Sequence, residues 1–387
     1  MKKKDLSYYF IIILASSISL YLSKISIFSP IYLIYLAIFP IYLIYIIYRL
    51  KGLSLSSDII QSSILLIYIL FLVIFIHKDS LLSGAFINIY LGLLSFILIR
   101  MTKRNIKEKY YTLIIYFMIY ITLIFISADT IYRLLHPDFF ARTAYLESNW
   151  FYYYKKNSIM FADSNTTGLI ALILYFFITE LEIFQNNIYI KIIKSKHLKL
   201  ILILLLIASF SRAAYIAFII GILYKKYHSQ TKKYYKNIIK YISIPIIIIM
   251  AYYIISYLYK SDLSFQSKFY IIDLAINVFK KFPIYNKIFG IGFLEWQDVL
   301  GIYTHNIYIT YFIQTGFIGL ILFILFVIST FKYAKYIWIP ILLVSLSFFS
   351  YLGMPFLFVP LAIICNIYDN YMEKRKYYEN SIYYSLA

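Results

Sequence analysis

An all-α integral membrane protein, a polytopic bundle of about 12 transmembrane helices, is the fold class this sequence predicts. Three observations predict it. Of 387 residues, 63% are hydrophobic and 14% charged, whereas a soluble domain carries about 25% charged residues. Apolar runs near 20 residues recur along the whole chain, each long enough to cross about 30 Å of hydrocarbon as a helix. The basic residues gather in alternate connections between those runs. Together these exclude a string of small soluble domains and leave one polytopic membrane domain over 1–387.

The expected spans run in order. Span 8–23 follows Lys2–Lys4 but shows no small-residue cleavage site, so it is read as a retained helix and not a signal peptide. Span 28–48 repeats Ile-Tyr-Leu-Ile-Tyr at 31–35 and 41–45, a compositional bias too local for a repeat architecture. Spans 58–76 and 80–99 are joined by a very short turn at His77-Lys78-Asp79. Span 110–128 leads into a first large outer loop over 129–165, and 166–184 leads back. Spans 198–210 and 213–224 are short; they cross only if Ile188–Lys199 extends the first or the bilayer thins there. A second large loop, 258–305, follows span 238–257, and spans 306–329, 336–349 and 351–368 complete the bundle. Cys365 in the last span is the only cysteine, so no intrachain disulfide is available and the thiol reads as inert core.

Charge orients the scheme. With both termini cytoplasmic, 25 of the 37 basic residues and 8 of the 17 acidic ones fall inside, so the net +20 divides as about +17 inside and +3 outside. The basic balance therefore needs no nucleic-acid partner; the charges are split among short loops and form no single patch.

The polar residues of the outer face collect in three places: 129–165, the turn Ser211-Arg212, and 258–305. Long loops in a compact protein tend to carry function. Within the last, Phe265, Phe269, Ile272, Ile276 and Phe279 are spaced to line one face of an amphipathic helix, which should lie on the membrane surface or pack over the bundle mouth. Lys268 falls at the edge of that face, either reaching a phosphate at headgroup depth or simply snorkelling. Arg212, at the end of a span, is expensive to desolvate and its planar fork suits bidentate phosphate binding; the plainer reading is a turn arginine facing headgroups. His305, where a Gly-containing polar loop becomes a hydrophobic helix, is the best-placed titratable group, with an interfacial polar residue as the plain alternative. Metal binding has little support: there is no His-Glu-x-x-His and no cysteine cluster, and Asp163 has no obvious partner. Gly290-x-Gly292 lacks the third glycine of a dinucleotide fingerprint, and Gly-x-Ser-x-Gly is absent.

Taken together, Asp163-Ser164-Asn165, Ser211-Arg212, Pro283…Gly290-Ile291-Gly292, His305-Asn306 and Gly316-Phe317-Ile318-Gly319 resemble the bacterial O-antigen ligase and O-antigen polymerase superfamily. The motifs cover about 160–330, and topology alone carries the rest. Each is degenerate; order, spacing and consistent outer placement make the set specific. Two departures stand out: Gln314 occupies a position acidic in many relatives, and Lys268 stands where relatives often have arginine, which keeps the charge but loses the fork.

The resemblance implies a GT-C-like bundle in the bacterial inner membrane with its active site on the periplasmic side. The donor would be an oligosaccharide on undecaprenyl pyrophosphate, its tail in the bilayer. Arg212, helped by Lys268 or a basic residue of 133–156 such as Arg142, would neutralise the leaving pyrophosphate. His305 would take a proton from an acceptor hydroxyl that attacks the anomeric carbon, with inversion. Ser211, Asp163, Asn165, Asn306 and Tyr308 would help bind or orient donor, histidine or glycan. No cofactor or metal is expected, because the pyrophosphate leaving group supplies the energy. A polysaccharide polymerase acting with a chain-length regulator is preferred. The alternative is a ligase delivering the glycan to lipid A core, and a lipid-linked oligosaccharide flippase is the competing class. A flippase needs polar groups lining the bundle interior, whereas here they gather at the outer rim.

Overall fold

The computed structural model describes residues 6–22, 29–49, 55–102, 108–139, 153–155, 157–161, 164–184, 196–229, 263–293, 306–346 and 354–386. Among the described residues the secondary structure is entirely helical. In chain order the helices are α1 Leu6–Ser17, α2 Pro30–Arg49, α3 Ser57–Phe71, α4 Gly84–Met101, α5 Glu108–Leu135, α6 Ser164–Leu181, α7 Lys196–Ala208, α8 Arg212–Ser229, α9 Leu263–Lys281, α10 Ile284–Phe289, α11 Ile307–Phe331, α12 Lys335–Val344 and α13 Met354–Leu386. A π-helical turn, Leu72–Ile76, prolongs α3, and a 3-10 turn, Lys78–Ser80, leads towards α4.

Five described helices are long and apolar enough to cross a membrane: Ser57–Ile76, Gly84–Met101, Tyr110–Leu135, Ser164–Phe184 and Ile307–Phe331. Ser7–Ser17, Pro30–Tyr45 and Lys335–Val344 are apolar but shorter. The expected span 238–257 lies outside the described residues. The two short spans appear as α7 and α8, and the last one continues as α13 through Leu386. The largest shift concerns α5, which runs past the expected end at 128 to Leu135. Nothing in 129–135 breaks a helix; Pro137 does, by disfavouring the α region at His136.

Helix α6 is apolar around its whole circumference, and almost every side chain it carries is buried. It packs against α7, α8, α12 and α13. The approach of α8 is close because its inner stripe is Ala214, Ala217 and Gly221; a Cβ at Gly221 would sit 2.3 Å from the Phe176 ring. Helix α13 lies along α4, α1 along α5, and α11 along α3.

Buried charges pin one end of the bundle. Arg100 donates Nε to Asp58 Oδ2 at 2.6 Å, NH1 to Asn366 Oδ1 at 2.6 Å and NH2 to Asp369 Oδ2 at 2.9 Å, joining α4 to α3 and α13. Glu182, just beyond α6, accepts from Lys199 of α7 and, at 2.7 Å, from Lys225 of α8. Breaking a buried pair by removing one partner strands the other charge, at a cost of about 3–5 kcal/mol. Arg100→Met is therefore expected to lower the unfolding midpoint of the detergent-solubilised protein sharply, and Asp369→Asn, whose carboxylate is partly exposed, much less.

Candidate active site

The Ser211-Arg212 turn forms where α7 ends and α8 begins. Phe210 takes φ +52°, the one positive value for a non-glycine among the described residues. The chain thereby reverses in three residues and leaves Arg212 in the first turn of α8, where unpaired backbone N–H groups favour anions. Helix α6 holds this turn from below. Ser164 Oγ donates to the Ser209 carbonyl at 2.5 Å. Gly168 admits both Ser209 and Ser211, since a Cβ there would lie 2.5 Å from Ser209 Oγ and 3.2 Å from Ser211 Cβ. Ser211 is thus lodged against α6, buried, with Arg212 half-buried beside it.

From the other side comes the end of the first loop. Lys155 Nζ donates to Asn165 Oδ1 at 3.1 Å, and the Lys155 carbonyl accepts from Ser164 N at 3.0 Å. Tyr154 brings its ring to 6.2 Å from that of Phe210. Arg133 is fully buried, its guanidinium bonded to Asp129, Thr130 and the Tyr154 carbonyl, so it is spent on structure and cannot serve as a phosphate-facing residue of this loop. Arg142 and Asp163 lie outside the described residues.

The second half of the site is built on a broken helix. Gly316, inside α11, has φ +67° and ψ −171°, which interrupts the helical ladder. Three carbonyls around the break find partners elsewhere: Ile313 O accepts from Ile291 N at 2.9 Å, Gln314 O from Gly292 N at 3.0 Å, and Thr315 O from Tyr68 OH at 2.7 Å. The Gly-x-Gly segment and the first glycine of Gly-x-x-Gly are therefore two sides of one contact. A Cβ at Gly290 would lie 2.3 Å from Gln314 O, and one at Gly316 would lie 2.1 Å from Ile288 O. Gly292, in turn, rests on the turn after α3, where a Cβ would meet the His77 side chain at 2.7 Å, and Ser80 Oγ accepts from Phe293 N at 2.9 Å. Burial pushes the His77 imidazole below the ordinary histidine range, against a smaller upward pull from its hydrogen bond to the Gly290 backbone.

His305 lies outside the described residues, but the residue after it is fixed. Asn306 caps α11, its Oδ1 accepting from Tyr308 N at 3.0 Å and Ile309 N at 3.2 Å, while its Nδ2 donates to Leu346 O at 2.9 Å. Tyr308 OH donates to Leu342 O at 3.0 Å. Both side chains tie the start of α11 to the end of α12.

Lys268 joins the halves. It sits on α9, whose Ala275 packs with Ile313 of α11. Burial, and then the charge of Arg212, push its ammonium down to about 8. The amphipathic helix is real, but its packed stripe is Ile271, Leu274, Ala275 and Val278; Phe269 and Ile276 of the expected face are 45% and 48% exposed. Ala275 lets α9 approach closely, and of the expected face Phe269 turns outward while Phe279 packs its ring 4.3 Å from that of Phe312 on α11.

The class of protein is then a multi-pass helical membrane protein with two cations gathered at one end of its bundle. Residues 197–324 match the family described as O-antigen ligase, about a third of the chain, and the match supports the O-antigen ligase/polymerase superfamily, whose members are glycosyl-transferring enzymes acting on lipid-linked glycans in a membrane. It spans Arg212, Lys268, Gly290–Gly292, His305 and Gly316–Gly319. No curated protein and no solved structure matches the chain.

Sequence reasoning passed over Asp129, Ser158, Thr167, Tyr68 and Ser80. Only Asp129 carried a signal, a carboxylate four residues before Arg133 in a still-helical pattern. Gly316→Ala is expected to cost at least about 1–2 kcal/mol from the left-handed backbone alone, with added loss from the Ile288 carbonyl, read as lost folded protein on size-exclusion chromatography. Gly84→Ala, with nothing within 4 Å, should behave as wild type.

Proposed function

We propose that this chain transfers a glycan from undecaprenyl pyrophosphate to an acceptor hydroxyl at the periplasmic face of the bacterial inner membrane, as a surface polysaccharide polymerase. The observation that carries the proposal is the placement of Arg212 in the first turn of α8, near enough to the half-buried Lys268 of α9 for its charge to act on that ammonium, both within the family-matched segment. An anion bound beside both cations would relieve their mutual repulsion. A pyrophosphate at headgroup depth is that anion, and the N–H groups opening α8 add to its binding.

In this mechanism the His305 imidazole takes the proton of the acceptor hydroxyl as its oxygen bonds to the anomeric carbon. The bond from that carbon to the pyrophosphate oxygen breaks, and the electron pair leaves with the pyrophosphate. Arg212 and Lys268 stabilise the charge that develops there. Attack opposite the leaving group inverts the anomeric configuration. Asn306 and Tyr308 would set the backbone from which His305 projects. Arg142, Asp163 and Asn165 are candidates for contacting the donor, and Ser211 for shaping the turn that presents Arg212. The description of the matched family favours, as a second reading, a ligase that delivers the glycan to lipid A core. The acceptor separates the two readings: loss of a polymerase leaves core capped with single repeats, and loss of a ligase leaves naked core with accumulating lipid-linked polymer.

His305→Ala and Arg212→Ala are each expected to abolish complementation of a knockout strain at normal membrane levels, read on surface-polysaccharide gels; unchanged polysaccharide length and attachment would sink the enzyme reading. Lys268 supplies a pH test. Burial, and then the charge of Arg212, push its ammonium down to about 8, so anionic donor binds with proton uptake above that pH. Donor affinity should fall as pH rises from about 7.5 to 9, and Lys268→Arg should flatten the fall.

A further inference from the structure

The outer end of α5 carries a polar node that the transfer chemistry does not use. Asp129 and Arg133 are both fully buried. Asp129 Oδ1 accepts from Ser158 Oγ at 2.7 Å, Ile159 N at 2.9 Å and Met160 N at 3.3 Å. Its Oδ2 accepts from Thr167 Oγ1 at 3.1 Å and Arg133 Nε at 3.2 Å. One carboxylate thus gathers α5, the returning loop and the start of α6. Burying an ion pair is expensive, and apolar replacements of the same volume are often no less stable, so such a pair earns its place by specifying a conformation where it does so at all.

The conformation it specifies here is read from Arg133's remaining bonds. Its NH1 donates to the Tyr154 carbonyl at 3.0 Å, which fixes the backbone of that residue. Tyr154 then lays its ring beside Phe210, 6.2 Å between centroids. Phe210 is the residue strained to φ +52°, and a bulky side chain in that region persists only when its surroundings over-determine it. Two residues later stands Arg212.

We infer that Asp129 and Arg133 are a positioning pair: through the backbone and ring of Tyr154 they hold Phe210 in its left-handed turn and so set where Arg212 presents its charge. Neither touches the donor. The inference rests on Arg212 meeting the donor's pyrophosphate, and its test separates the two.

The full chain in nanodiscs is compared as wild type, Arg133→Lys, Tyr154→Ala and Tyr154→Phe. Tyr154→Ala leaves the buried ion pair and the Tyr154 carbonyl in place and removes only the ring on Phe210. Three quantities are read: thermal midpoint, amide hydrogen exchange over 207–215, and binding of undecaprenyl pyrophosphate. Tyr154→Ala is expected to speed exchange over 207–215 and weaken binding about tenfold with little change in midpoint. Tyr154→Phe should restore both, and Arg133→Lys should reproduce the faster exchange. Unchanged exchange in Tyr154→Ala and Arg133→Lys overturns the inference, as does faster exchange with binding intact. If wild type fails to bind the probe, the donor reading fails by itself, and the exchange measurement still decides whether the pair positions the turn.

Discussion

A helix broken inside a membrane must find partners for the carbonyls it frees, because hydrocarbon offers none. The break at Gly316 lies roughly 14 Å along α11 from its start, at a rise of 1.5 Å per residue. Its carbonyls are met by the backbone of Ile291 and Gly292 and by Tyr68. That requirement threads the segment after α10 back against α11 and pins its exit, Phe293, to Ser80. The chain emerges again at Asn306, itself fixed as the cap of α11. Phe293 and Asn306, the described residues on either side of the stretch that holds His305, are therefore both fixed to the bundle. The glycines that read as a signature are the condition for this contact, since side chains at 290 and 316 would occupy the space of the opposing carbonyls.

Charge is arranged by opposite rules in different parts of the molecule. Arg100 meets Asp58 and Asp369, Lys199 and Lys225 share Glu182, and Arg133 meets Asp129. In each, desolvation is offset by a carboxylate and further hydrogen bonds, which is how buried ions persist. Between Arg212 and Lys268 the charges are alike, and burial together with the charge of Arg212 disfavours the ionised form of Lys268.

Span length and hydrophobicity made most of the helices legible, and the turn at Ser211-Arg212, the amphipathic helix and the order of the glycine motifs were legible with them. What local pattern cannot carry is partnership. Residues 129–135 read as the opening of a loop because hydropathy falls there. The helix runs on to Leu135 because the missing cost of burial is met by Ser158 and Thr167, 29 and 38 residues away. The face of α9 was legible only in part. Phe279 packs against Phe312 as the ring-rich stripe predicts, but the contact centres on the neighbouring stripe, because small Ala275 allows contact with Ile313 and leaves Phe269 and Ile276 exposed. Asn306 and Tyr308 were read as neighbours of the histidine, but the ends their side chains hold, Leu346 and Leu342, belong to another helix.

The site thus lies on a seam. Arg212 belongs to the block of α6, α7 and α8, locked by Gly168 against Ser209 and Ser211. Lys268 belongs to α9, which rests on α11 by a small contact around Ala275 and Ile313. Helix α9 also exposes Phe269 and Ile276, apolar surface that a bilayer interface can cover and water cannot cheaply solvate. Lys268 sits on the same helix, so an anion held between the two cations would bridge α9 to α8. A donor whose tail lies in the lipid and whose phosphates lie at the headgroups meets both halves of that arrangement at once.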